Sequence, residues 1–156
     1  MTGDLYDTDI LIWSDRQAAL LRRLARGERV NDVDWEHVAE EIEDLGRSEL
    51  HAVESFLDLI LTHLLKLAGW PGNAACQHWR REIATFQRDA RRRLAPSMRQ
   101  RIDLAAIWTG VRESLDDDRY DNLPHEPWPV ACPFTLDELL TAPPALLERG
   151  MGAPPA

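Results

Sequence analysis

Cysteine is scarce in this chain: Cys76 and Cys132 are its only two, and their separation of 56 positions matches neither zinc-ligand nor dithiol spacing. A chain of 156 residues needs no disulfide to hold a core, so both read as buried thiols. Long apolar runs are missing as well. No stretch approaches the roughly 18 uninterrupted apolar residues of a membrane span. The opening MTGDLYDTD carries neither a basic n-region nor an apolar h-region. No membrane association and a cytoplasmic location are the expectations. There is no Gly-Asn hairpin, no period-2 run and no internal repeat, which leaves helices as the organising element. A phosphate-cradling glycine loop is also absent. Ser48, Ser97 and Ser114 lack placed His/Asp helpers and a G-x-S-x-G context, so nucleophilic catalysis has no support. Lys66 is the single lysine among 18 basic residues, a bias that reads as genome composition rather than task.

What is present suits one soluble domain: 44% hydrophobic and 29% charged residues. Residues 1–150 are expected to form a single helical domain, with 151–156 as a disordered tail. The net charge of −9 argues against general nucleic-acid affinity, but it is unevenly placed. Residues 1–73 hold 15 acids and 7 bases, residues 74–115 hold 4 acids and 9 bases, and residues 116–156 hold 8 acids and 2 bases. A basic middle sits between acidic ends.

The periodicity predicts an all-α bundle of four main helices plus a short C-terminal one, linked by a proline-rich wrapping segment. The first helix puts Tyr6, Ile10, Trp13, Leu20 and Leu24 on one stripe, with Asp7 or Thr8 capping its first turn and Gly27 as its stop. The second starts at Asp34 as N-cap and carries Trp35, Val38, Ile42, Leu45, Val53, Phe56, Ile60, Leu64 and Leu67. Unbroken, it would be about 52 Å long at 1.5 Å per residue. It therefore bends near Gly46 or extends beyond the fold, and the second option invites a partner or a second copy. A third helix, capped by Asn73, aligns Cys76, Trp79, Ile83, Phe86, Ala90 and Leu94, and Pro96 closes it. The fourth runs from Ser97 to about Asp117, with Met98, Ile102, Ala105, Trp108 and Leu115 inward. Pro124, Pro127, Pro129 and Pro133 forbid regular structure in the next segment, which should wrap across the helices from an anchor at Trp128. Thr135 with Glu138 forms a capping box for the last helix, and ERGMGAPPA reads as frayed.

Several of these stretches have a specific wording. LYDTDILIWSDRQAALLR, the VDWEHVAEEIEDLGRSE block, LTHLLKL, WRREI and finally LP...WP..CPFTLDELL together resemble a bacterial family catalogued as domain of unknown function 29. The resemblance covers roughly residues 5–141, with AEEIEDLGRSE and CPFTLDELL as its most specific parts. It implies an entirely helical fold, and it transfers no catalytic residues because no activity is assigned to the family.

EHVAEEIEDLGRSELH, residues 36–51, concentrates six carboxylates, one arginine and two histidines. A small metal-dependent enzyme built on Glu40, Glu41 and His37 is one reading. A di-iron bundle, however, wants Glu-x-x-His from two helices, whereas here only Asp34-x-x-His37 has that order. A structural ion-pair network is the expectation instead. An antiparallel pairing of the second and third helices would place Glu49 near Arg93 and Glu54 near Arg88. Glu41 and Glu49 lie at the flank of the apolar stripe, where Arg47, Arg80 or Arg91 could pair with them. Failing that, they would line a polar pocket. The run Arg88, Arg91, Arg92, Arg93, Arg99 and Arg101 supports a nucleic-acid alternative, opposed by the acidic ends and by the lack of an interleaved aromatic. Of six tryptophans, Trp70 in GWPGN is the one with a chance of meeting a partner at an exposed turn. The expected function is a non-enzymatic helical interaction module that docks a protein partner or itself, with homo-oligomerisation expected and no catalytic residue, metal or cofactor implied.

Overall fold

The computed structural model describes residues 4–152, and all regular elements among them are helical. They are α1 (Leu5–Thr8), α2 (Ile10–Ala25), α3 (Trp35–Gly69), α4 (Cys76–Arg93), a 3-10 turn (Pro96–Gln100), α5 (Leu104–Leu115), α6 (Leu136–Thr141) and α7 (Pro144–Gly150). The four long helices match the four expected. The first expected helix, however, is broken at Asp9, whose backbone turns to φ −155°, ψ 83°. The break has a local cause: two aspartates compete as caps. Asp4 accepts from the Tyr6 amide to start α1, and Asp9 accepts from the Ile12 amide to start α2. Neither Asp7 nor Thr8 has that role. The fourth helix likewise begins later than Ser97, because Asp103 caps α5 through the Ala106 amide after the 3-10 turn.

The chain divides into two compact units, one up to Ser48 and one from Glu49. Helix α3 contributes to both and is continuous through Gly46. A glycine inside a helix costs about 1 kcal/mol relative to alanine. Glu, Leu, Arg and Ala around it are strong helix formers, and the space about Gly46 is open.

The N-terminal unit has a small core of Trp13, Leu20, Val33 and Val38, with Leu5, Tyr6, Leu21, Leu24 and Val30 packed around it. Ile10, expected on the inner stripe, is instead exposed. The C-terminal unit holds the main core, in which Val53, Leu57, Ile60, Leu61, Leu64 and Leu65 of α3 are fully buried. Helix α4 meets this row antiparallel, as the stacked rings of Phe56 and Phe86 and the pairing of Glu49 with Arg93 show. The proline-rich wrap is held at its backbone by indoles. Trp70 Nε1 donates to the Leu123 carbonyl, Trp108 Nε1 donates to the Val130 carbonyl, and Trp128 itself donates to the Leu65 carbonyl on α3. Its one tight turn, at Asp121-Asn122, has positive φ at both residues and was not signalled by a glycine. Asp and Asn tolerate that region because their short side chains hydrogen-bond locally.

Thr135 and Glu138 form the expected capping box at α6. The end of the chain differs from its frayed reading. Pro144–Gly150 is helical, Glu148 is ion-paired, and Met151 is buried. The rest of the expected tail, residues 153–156, lies outside the described residues.

Candidate functional site

Because α3 starts beside α1, the acidic block is read first through its contacts with the N-terminal helices. Tyr6 lies flat on the His37 ring, with centroids 3.9 Å apart, and its hydroxyl donates to Glu41 Oε1 at 2.7 Å. Asp34 is the hub. It accepts from His37 Nδ1 at 2.7 Å, from Trp13 Nε1 at 3.1 Å and from the His37 amide at 3.4 Å, while its own amide donates to the buried Gln17 side chain. Asp34 thus is the expected cap of α3, and it also ties α2 to that helix.

The charges in this network follow from those bonds. The Asp34 hydrogen bond raises the His37 pKa above the ordinary imidazole value, and the His37 and Trp13 donors hold the Asp34 carboxyl below its ordinary value. The hydrogen bond to Glu41 pushes Tyr6 up to about 12. A histidine held protonated by folding contributes stability that is complete below about pH 6.5 and disappears as pH rises through the raised value. The carboxylate works in the other direction, contributing above about pH 3.9 and losing that contribution in acid. The N-terminal unit should therefore be firmest between those limits. Amide-exchange protection in α1 and at the start of α2 is expected to fall as pH rises above about 6.5 in the native chain. In His37→Gln that pH dependence should be absent; an equal slope in both would assign it to another group.

Asp4, Asp34 and His37 bring three ligand-type atoms within 4.8 Å of one another, the one such group among the described residues. Neither Glu40 nor Glu41 belongs to it, so the trio Glu40, Glu41 and His37 does not converge as the metal reading required. Physics also argues against a cation here. Asp34 already serves three N–H donors, and it sits at the N-terminus of a 35-residue helix, where the positive dipole end favours anions. The cluster is an anchor.

The remaining candidate residues are mostly structural, and with partners other than those expected. Glu49 does pair with Arg93, at 3.2 Å. Glu41 takes a tyrosine hydroxyl rather than an arginine. Arg47 turns to Asp44 on its own helix at 2.5 Å, and Arg80 grips Glu148 of α7 with two hydrogen bonds of 2.7 and 2.8 Å. Arg91 donates to the Leu140 carbonyl, beside buried Gln87, which spans the Leu139 and Ala142 carbonyls. Arg88 and Arg92 lie near Asp89 instead of Glu54, and Arg99 pairs with Asp137 at 2.6 Å. The arginine run therefore closes α4 onto the C-terminal helices rather than forming an unbroken basic strip. Arg101 is exposed.

Trp70 is 4% exposed, so it is core and not a partner contact. Cys76 is buried and Cys132 only partly so; burial pushes both thiols up, which makes them poor nucleophiles. Burial pushes His63 down, with Nδ1 on the Leu59 carbonyl. An open depression of about 640 Å³ is lined by His51, Glu54, Ser55, Asp58, Leu59 and Ile107. Its two carboxylates disfavour an anionic ligand.

The feature that periodicity did not reveal is on the outer side of α3. Trp35, Ile42 and Leu45, expected inward, are 62%, 65% and 66% exposed. Val38 of the same segment is buried and Glu41 half-buried, since α1 and α2 cover that neighbouring face. At about 100° per residue, Trp35 and Ile42 share the helix face that Val53, Ile60 and Leu64 bury further along. One apolar stripe is therefore core at one end of the helix and bare at the other.

These features define an all-helical protein in which Asp34, Glu41 and Glu49 are tied to intramolecular donors, while large apolar side chains at the start of α3 are exposed. The chain belongs to the family described as Domain of unknown function DUF29, whose model matches residues 5–143. It is similar to an alpha-helical protein of unknown function from Rhodospirillum rubrum, known from a crystal structure. The two are 28% identical, with a TM-score of 0.68 over 97% of this chain and 99% of that one. Comparison with curated proteins finds no match. No helix among the described residues is long and apolar enough to cross a membrane.

Proposed function

We propose that this protein is a non-enzymatic helical interaction module, which docks a protein partner or itself through the outer face of α3. The observation that carries the reading is the bare row Trp35, Ile42 and Leu45. Single exposed apolar residues are ordinary, but a contiguous row of three large ones on a helix marks a place where another surface packs. The polar groups support it from the other side. Glu41, Glu49, Arg80, Arg91, Arg93 and Arg99 are each committed to an intramolecular partner, so they serve the fold rather than a reaction. Two free thiols fit a reducing, cytoplasmic setting.

The test compares the native chain with Ile42→Glu/Leu45→Glu by gel filtration with light scattering and by affinity capture. The native chain should either self-associate or take up a stoichiometric partner, and the double variant should lose that complex while keeping its helical content. A monodisperse monomer that captures nothing beyond what the variant captures overturns the reading.

A further inference from the structure

His63 stands half-buried where α4 packs along α3, in surroundings that suit a neutral ring. Its Nδ1 lies 2.7 Å from the Leu59 carbonyl, one turn back on its own helix. A carbonyl only accepts, so Nδ1 carries the proton of the neutral imidazole and Nε2 keeps its lone pair. The ring leans on Phe86 of α4 with centroids 5.4 Å apart, and Phe86 stacks in turn on Phe56 of α3 at 6.4 Å. The same stretch of the two helices holds Ile60, Leu64 and Ile83, all fully buried. A second proton, taken up at Nε2, therefore sets a charge into an aromatic and aliphatic seam.

The groups that face the ring come from both helices. On α3, Lys66 stands one turn further on, its ammonium 5.9 Å from the Trp79 ring and 5.7 Å from the Tyr120 ring of the wrap. On α4, His78 repels a charged His63 when itself protonated, and Glu82 attracts it. Glu82 is already shared, lying 3.9 Å from His78 Nε2. Burial opposes the charge most, the Leu59 carbonyl and Glu82 favour it, Lys66 and His78 oppose it, and the net effect holds His63 below the ordinary imidazole value. We propose that the His63 seam is an acid-sensitive catch: the neutral ring keeps α4 closed on α3, and a proton at Nε2 loosens it.

A ring that binds its proton less readily in the folded chain than in the unfolded one favours opening in acid. The stability that His63 contributes is whole above about pH 6.5 and is lost as pH falls below that value. His37, near the other end of α3, has the opposite sign because Asp34 holds its proton on. Acidification through this range thus loosens the seam of α3 and α4 in the C-terminal unit while the anchor of the N-terminal unit stays firm.

Nitrogen NMR of the histidine rings and site-by-site amide exchange of the full chain, from about pH 8 down to about pH 5, test the catch above the range in which ordinary carboxylates titrate. His63 should show the Nδ1-protonated tautomer at neutral pH, and protection of the α4 amides should fall as pH drops below about 6.5. In His63→Gln, whose amide can still donate to the Leu59 carbonyl but takes up no proton, that fall should be absent. Two further variants leave the ring in place and move the response in opposite directions. Lys66→Met removes a repelling charge and should shrink the loss of protection; Glu82→Gln removes the attracting one and should deepen it. If His63→Gln fails to fold, this opposed pair decides alone. Protection that stays level in the native chain, an equal fall in a folded His63→Gln, a neutral ring protonated at Nε2, or a Lys66→Met and Glu82→Gln pair that moves the same way overturns the proposal.

Discussion

Trp13→Ala is expected to unfold the N-terminal unit while leaving the C-terminal one folded. The N-terminal core contains four buried apolar residues, of which Trp13 is the largest. Emptying a buried tryptophan site costs about 3–5 kcal/mol. A core in so short a unit rarely supplies more than about 3–5 kcal/mol in total, so the loss is comparable to the whole. Trp13 also donates to Asp34 and sits edge-on to Tyr6, so the substitution removes a support of the cap and of the ring stack together. Hydrogen exchange should show α1 and α2 losing protection, with the amides at 53–67 unchanged. Trp13→Phe, which keeps a ring but lacks the donor to a carboxylate, should cost about 2 kcal/mol and leave the unit folded. Uniform loss of protection along the chain in Trp13→Ala would show instead that the two units unfold as one.

The second large effect belongs to the wrap. Trp128 is buried, donates to the Leu65 carbonyl at 2.9 Å, and stacks face to face on His125 with centroids 3.5 Å apart. It also lies against Gly69, where a Cβ would come within 3.0 Å of the indole nitrogen. The close approach of ring to helix is possible because Gly69 has no side chain. Trp128→Ala should lower stability by about 3–5 kcal/mol and make the chain between Tyr120 and Pro133 sensitive to limited proteolysis. In this segment few backbone groups are held by helix, so its order depends on the indole contacts. Trp128→Phe should cost about 1 kcal/mol for the lost hydrogen bond and retain protease resistance. Cutting at the same rate in the native chain and in Trp128→Ala would mean that the anchor lies elsewhere.

How far the site could be read in advance differs from residue to residue. Glu49 with Arg93 was legible because two antiparallel helices joined by a short turn have a fixed pairing register. Glu54 with Arg88 follows from the same register but was not found: Asp89, next in sequence to Arg88, offers a nearer carboxylate. Local competition of this kind also takes Arg47 to Asp44. Long-range competition takes Arg80 to Glu148 and Arg91 to a carbonyl, partners 68 and 49 positions away. No spacing rule reaches that far. Tyr6, Trp13, Asp34 and His37 formed a network that was missed for the same reason, since Tyr6 and Trp13 lie 31 and 21 positions or more from the residues at the start of α3 that they meet.

Sequence alone was sufficient for the helical class, the four long helices, the capping box at Thr135 and the wrapping role of the proline segment. Those depend on periodicity, on φ restricted by proline and on side chains bonding their own neighbours, all of them short-range. Only the tertiary structure decided which part of α3's apolar stripe is covered. Periodicity marks a face as apolar over all 35 residues of that helix, but whether a face is buried depends on what other helices reach it, and here α1 and α2 settle on the side of Val38 while Trp35 and Ile42 stay bare.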